Sequence, residues 1–242
     1  MYSIILLSFM LVIWEVIARL VSITFILPSP IQVIQKLILL KGPLLKEHLP
    51  YTLLVIWIGL AISLFLGVMI AVIMHHSKVI EQAIYPLLIT SQTIPIIALA
   101  PIFVLWFGYT IWSKVVVTVI ITFFPIAIGT FDGLRSTDKE LHELFQTFGL
   151  TKQQIFFKLE VPSALPSFFS GLKVAVPMSV IGAAIGEWLG AQAGLGYFSR
   201  RMMTQFDGAG VFAPIVLLSF IGVTLFTSVI IIEKYVFKWR KI

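Results

Sequence analysis

The chain has 242 residues, of which 59% are hydrophobic and 12% charged, with a formal net charge of +6 and no Cys. A soluble domain averages about 45–50% apolar and about 25% charged residues, so this composition excludes an ordinary water-soluble fold and leaves lipid to cover the apolar surface. Without Cys there is no disulfide framework, thiolate chemistry or Cys-based metal site.

A membrane span needs about 20 mostly apolar residues. Six runs qualify, at roughly 3–21, 52–74, 84–107, 112–131, 168–190 and 211–233. They predict an all-α polytopic membrane protein with about six transmembrane helices. The first run follows Met1 with no preceding Lys or Arg and no small-residue cleavage site, so it reads as a retained helix. Glu15 within it reads as a structural or headgroup contact. Next, Ser29 can cap a helix that Pro30 opens, with Ile31, Ile34, Leu37 and Ile38 on one face. That pattern predicts a short amphipathic helix lying at the outer surface.

His75 and His76 fall at a turn, and adjacent residues do not share a helix face, so no metal site is expected there. The third run is interrupted by Pro95 and Pro101. Such breaks are tolerated where protein or a water-filled cavity satisfies the freed backbone, and unwound helices tend to line substrate routes. Pro95 and Pro101 are therefore pathway candidates. Trp106, Trp112 and Trp188 fit an interfacial aromatic belt.

The polar segment 132–166 is the longest between spans. Thr137 and Glu140 have capping-box spacing, and Leu141, Leu144, Phe145 and Phe148 follow at helical spacing until Gly149 ends the helix. Thr151 and Gln154 form a second box that opens a helix through Ile155, Phe156 and Leu159, which Pro162 and Pro166 stop. The result is two short helices carrying an apolar stripe. The stripe either docks a partner or packs on the chain's own spans; the pattern alone leaves both open.

In the fifth run Glu187 is a costly intramembrane carboxylate. It is either a functional acid on the pathway or a hydrogen-bonded structural acid near the outer end of its helix. Gly182, Gly186, Gly190 and Gly194 recur every four residues and predict close helix packing, at a two-fold interface or along the pathway. Basic residues orient the chain. With 132–166 and the C-terminus cytoplasmic, Lys78, Arg135, Lys139, Lys152, Lys158, Lys173, Lys234, Lys238, Arg240 and Lys241 lie inside. Arg19, Lys36, Lys41, Lys46, Lys114, Arg200 and Arg201 then lie outside. The net positive charge thus belongs to topology and headgroups, with no nucleic-acid partner implied.

The 132–166 segment resembles the signature loop of binding-protein-dependent ABC permeases: Glu-Ala-Ala, three residues, Gly, nine residues, then Ile-x-Leu-Pro. Here it reads Glu143-Leu144-Phe145, Gly149, then Leu159-Glu160-Val161-Pro162, with both spacings kept and both alanines replaced. The resemblance implies that residues 151–159 form the coupling helix that enters a cleft of an ATPase subunit. Coupling would then rest on Glu143, Gly149, Thr151, Gln154, Ile155, Phe156, Leu159 and Pro162.

Further pieces resemble the nitrate, sulfonate, taurine and thiamine-pyrimidine branch of these type I importers. They are Leu27-Pro28-Ser29-Pro30, His48 with Thr52-Leu53, Thr93-Ile94-Pro95, Leu105-Trp106-Phe107-Gly108, Ser113-Lys114, Phe123-Phe124-Pro125, Gly186-Glu187 and Gly194-Leu195-Gly196-Tyr197. Val55 departs from an expected Arg. The resemblance implies a first helix and external segment over 1–49, a core permease domain over 50–236 and a basic tail over 237–242. It also implies two copies of this chain, two ATPase subunits and an extracytoplasmic binding protein.

No Gly-Lys dipeptide occurs, so a Walker A loop is absent and any ATP hydrolysis belongs to another subunit. The chain is thus expected to be a permease and not an enzyme, with no cofactor and no metal. Its few intramembrane cations and many aromatics lean the substrate toward an aminopyrimidine precursor of thiamine, otherwise toward sulfonate, taurine or nitrate. The alternative, an ion-coupled secondary transporter, requires an intramembrane acid or His relay, and only Glu15 and Glu187 lie well inside the runs.

Overall fold

The computed structural model describes residues 2–237. Among the described residues the chain forms ten helices and no strands. They are α1 Tyr2–Val21, α2 Pro30–Leu39, α3 Lys41–His76, α4 Lys78–Ser91, α5 Ile96–Phe107, α6 Ile111–Arg135, α7 Lys139–Thr147, α8 Lys152–Gly190, α9 Leu195–Thr204 and α10 Gly208–Val236. Four of them (α3, α6, α8 and α10) are long and apolar enough to cross a membrane. The pair α4–α5, bent by 100°, makes a fifth crossing or a re-entrant loop. At 20 residues, α1 also reaches span length.

The predicted third span is therefore two helices. α4 ends at Ser91 with Gln92 as its cap, and Pro95, extended at φ −66° and ψ 110°, precedes α5. Pro101 stays inside α5 without ending it. The predicted stop at Pro162 and Pro166 is likewise absent, because both lie inside α8. For Pro162 the tolerance has a local cause. The turn Phe156–Glu160 is π-helical, and Val161 N–H reaches back five residues to Phe156 O just before Pro162. Leu49 N–H reaches Leu44 O in the same way just before Pro50 in α3. A proline removes one backbone donor and crowds the carbonyl four residues back; one widened turn absorbs both effects without breaking the helix. A division at 49/50 therefore falls inside one helix.

α6 is the central post, packed along its length against α3 and α8. Small residues set the spacing. A Cβ on Gly186 would come within 2.9 Å of Lys114 Cα, one on Gly182 within 2.9 Å of Thr118 Cα, and one on Gly129 within 2.9 Å of Ser167 O. The Gly182, Gly186 and Gly190 ladder is thus a packing feature, the first two residues against α6 and Gly190 against Val104 of α5. Gly194 does not continue it, since α8 ends at Gly190. Buried hydroxyls on α6 are satisfied internally. Thr118 donates to Lys114 O at 3.0 Å, Thr122 to Thr118 O at 2.8 Å and Thr130 to Ile126 O at 2.6 Å. This is what an apolar surround demands of polar side chains. Val55, where the resemblance expects Arg, is fully buried in the main apolar core and asks for no partner.

The bundle has two distinct ends. At one, α9 lies across the starts of α3 and α10 and the end of α8. There α2 is tied to α10 by Lys36–Asp207 at 2.6 Å, and Glu15 of α1 accepts from Ile31 N–H of α2 at 3.3 Å and pairs with Arg19 at 2.6 Å. As predicted, Ser29 caps α2; the structure adds a full capping box with Gln32, and Ile31, Ile34 and Ile38 are exposed. Leu37 instead packs against the core. The other end carries α7 and the start of α8. Phe237 packs its ring on Phe169 at 5.6 Å; the predicted basic tail beyond it, with Lys238, Arg240 and Lys241, lies outside the described residues.

Candidate functional site

At the α7 end, the first helix starts one residue later than predicted. Asp138, not Thr137, is the cap and accepts from Glu140 N–H at 2.8 Å, while Thr137 donates to Leu134 O. An Asp cap also places negative charge where the helix dipole favours it. The C-terminus closes as a Schellman turn, with Gly149 N–H to Gln146 O at 2.8 Å and Leu150 N–H to Phe145 O at 3.2 Å. That turn needs the left-handed conformation, which Gly149 supplies at φ +76°. The Thr151 and Gln154 capping box forms as predicted.

The apolar stripe divides. Ile155 and Leu159 are buried and Phe156 is half-buried, its ring 5.0 Å from that of His76 and 6.2 Å from that of His75. For this second helix, packing on the chain's own spans wins over exposure. On the outside are Leu141, Leu144 and Phe148 of α7 and its cap, together with Phe157. Glu143 and Gln154 are exposed as well, so the signature residues sit beside this patch and not beneath it. Pro162 and Lys158 line a polar hollow of about 470 Å³ with Asp138 and Ser136. Glu160 is clasped from two sides, by His75 Nε2 of α3 at 2.9 Å and His142 Nε2 of α7 at 3.5 Å. Sequence reasoning missed this cluster, because its members come from three elements, and His75 was read only beside its chain neighbour His76.

At the α9 end, Glu187 is fully buried and holds the first turn of α9. Its Oε2 accepts from Gly196 N–H at 2.8 Å, Thr52 Oγ1 accepts from Leu195 N–H at 2.9 Å, and His48 Nδ1 accepts from Gly194 N–H at 3.1 Å. Three side chains from α3 and α8 thus satisfy three successive amides that a helix start leaves without intrahelical partners. Gly194 has φ +111°, and a Cβ there would strike the Glu187 carboxyl group. Glu187 thus makes the hydrogen bond that its structural reading calls for through Oε2, while its Oε1 is buried without a hydrogen-bond partner among the described residues. His48, Thr52, Gly186-Glu187 and Gly194-Leu195-Gly196, separate matches in the sequence, are one knot in space.

Pro95 and Pro101 are exposed and stand apart from Glu187. α5 meets α8 through Ile97, Ile185, Trp188 and Leu189, whereas Glu187 turns toward α9. Trp106, Trp112 and Trp188 are exposed at the α9 end, as a belt requires. Beside them an apolar groove of about 660 Å³ runs between α8 and α10, lined by Pro177, Val180, Trp188, Ser219 and Phe226 among others.

Two lysines differ from their predicted places. Lys114 is no loop charge: it is fully buried in α6, its Nζ donating to Thr110 O at 2.8 Å. Lys173 lies within α8 and pairs with Glu233 of α10 at 2.9 Å. Opposite charges inside two apolar runs were the signal available for that pair. Among the described residues no group of three or more His, Asp or Glu could hold a metal ion.

Residues 63–241 match the family described as the binding-protein-dependent transport system inner membrane component. The formylaminopyrimidine transport permease of Halalkalibacterium halodurans is 58% identical over 96% of this chain and 93% of its own length. The riboflavin transport system permease of Chloroflexus aurantiacus is 33% identical, covering 89% of this chain and 81% of its own length. A putative aliphatic sulfonates transport permease of Bacillus subtilis is 32% identical, covering 94% and 83%.

Proposed function

The chain belongs to the binding-protein-dependent transport system inner membrane components, the permeases of ABC importers, and from that premise we propose that it moves an aminopyrimidine precursor of thiamine into the cell. The observation that carries the substrate is the 58% identity, over nearly the whole of both chains, to a formylaminopyrimidine permease. The interior supports it. Buried Lys114 is already engaged with Thr110 O and half-buried Lys173 with Glu233, so neither is left to greet a sulfonate or nitrate. The groove between α8 and α10 offers aromatic and apolar surface with two serine hydroxyls, which suits a flat, neutral heterocycle.

In this reading the α7 end faces the cytoplasm, and the exposed patch of Leu141, Leu144, Phe148 and Phe157 meets a separate ATPase subunit. Glu143, Gly149, Thr151, Gln154, Ile155, Phe156, Leu159 and Pro162 shape that contact: the caps and the Schellman turn fix the angle between α7 and α8, and the buried side chains seat the first turns of α8 on the spans. Two copies of the chain form the pathway, and the α9 end receives an extracytoplasmic binding protein. ATP-driven closure of the ATPases shifts an equilibrium between two access states that the spans provide.

The test is reconstitution of the chain in liposomes with its ATPase and binding protein. ATP-dependent uptake of formylaminopyrimidine with no uptake of taurine supports the assignment. Taurine uptake alone would overturn the substrate. Uptake that survives ATP removal and collapses with the ion gradient would overturn the coupling. Phe148→Asp and Phe157→Asp should abolish co-purification with the ATPase while leaving the chain in the membrane.

A further inference from the structure

We propose that Glu160 is a positioning residue that fastens the first turns of α8 to α3 and α7, so that force received at the coupling segment reaches the spans. The inference rests on the ATPase-docking reading above. Three observations carry it.

The first is geometry. Glu160 occupies the last position of the π turn Phe156–Glu160, and its two carboxylate oxygens are divided between two other helices: Oε2 to His75 Nε2 at 2.9 Å and Oε1 to His142 Nε2 at 3.5 Å. A carboxylate can only accept, so His75 Nε2 carries the proton of the short bond. The second is burial. The Glu160 side chain is 13% exposed and that of His75 20%, so the clasp is shielded from the screening that makes open surface pairs weak. Among the described residues no Lys or Arg pairs with Glu160, and the surface pair Arg135–Glu81 is separate from it.

The third is the site's construction. Phe156, one turn before Glu160, lays its ring against His75 and His76, so an apolar contact and a polar one fix the same helical turn to the end of α3. A π turn is a point where a helix can yield. A load applied to residues 152–156 would be dissipated there unless the turn is tied laterally, and Glu160 is the tie.

The experiment compares wild type with Glu160→Ala, Glu160→Gln and His75→Ala in liposomes containing the ATPase and binding protein. The readouts are ATPase co-purification, ATP hydrolysis, and substrate taken up per ATP hydrolysed. A lost hydrogen bond to a charged group corresponds to about a tenfold change in an equilibrium. Glu160→Ala should therefore keep the ATPase and its hydrolysis while uptake per ATP falls about tenfold. His75→Ala should do the same, and the two together should be no worse than either alone. Glu160→Gln, whose amide oxygen can still accept from His75, should recover most of the ratio.

Unchanged uptake per ATP in Glu160→Ala would overturn the proposal. So would loss of the ATPase from Glu160→Ala and Glu160→Gln alike, since that pattern means the residue serves only the local fold. Failure of wild type to retain an ATPase would instead strike the docking reading, which the co-purification arm reports separately.

Discussion

The packing of α6 against α8 can be tested at Gly186. A Cβ added there would lie 2.9 Å from Lys114 Cα, a buried backbone atom, and 3.1 Å from Lys114 Cβ, which that backbone holds in place. At Gly222 of α10 the nearest atom would be Val180 Cγ2 at 3.9 Å, an ordinary contact. Both glycines are inside helices, so Ala should bring each the same propensity gain of about 1 kcal/mol. That gain cancels when the two variants are compared, which leaves the overpacking cost at Gly186, about 1–3 kcal/mol. For a chain of this length 1 kcal/mol moves the melting temperature by roughly 2–4 °C. Gly186→Ala should thus melt several degrees below Gly222→Ala in the same detergent, followed by tryptophan fluorescence. Equal midpoints, or a higher one for Gly186→Ala, would refute the claim that backbone approach sets this interface.

The Lys173–Glu233 pair, with side chains 28% and 21% exposed, should behave as a partly buried ion pair. Lys173→Ala alone should destabilise by about 1–3 kcal/mol, and Lys173→Met with Glu233→Gln should recover most of that loss in the same melting assay. At the α9 end, Thr52→Ala removes the acceptor for Leu195 N–H and His48→Ala the acceptor for Gly194 N–H. Each leaves a buried donor unmet at a cost of about 1–3 kcal/mol, and hydrogen exchange at residues 194–196 should accelerate while the α7 end stays protected.

The parts legible in the sequence were those set by neighbours in the chain. The Ser29 cap, the Thr151 capping box, the Gly149 turn and the apolar runs within α3, α6, α8 and α10 depend on contacts within a few residues, and each formed as expected, although α3 and α8 begin well before their runs. Prolines misled, because their effect depends on what the rest of the helix does. Pro162 was absorbed by a π turn and Pro166 stayed inside α8, while the chain broke ahead of Pro95, where the following helix changes direction by 100°. The sites assembled from distant segments were not legible as sites. His48 and Gly194 are 146 positions apart and His75 and Glu160 are 85 apart, and no local pattern joins them. The order of the resembling pieces did contain the α9 knot, but only as isolated words.

An unbroken α8 links those two assemblies. Glu160 at its start and Glu187 near its end are 27 residues apart, roughly 40 Å along a helix, so one element joins the coupling segment to the first turn of α9. Between them lies Pro177, on the groove facing α10. A proline inside a helix frees one carbonyl and marks the place where bending is least costly. If α8 flexes at Pro177, the groove between α8 and α10 changes width while both anchored ends keep their contacts. Pro177→Ala restores the missing donor and stiffens that point. It should therefore raise the melting temperature, retain the ATPase and lower the uptake rate several-fold. A stabilised variant with undiminished uptake would show that α8 moves as a rigid rod, with the change in access carried by rotation of whole helices about α6.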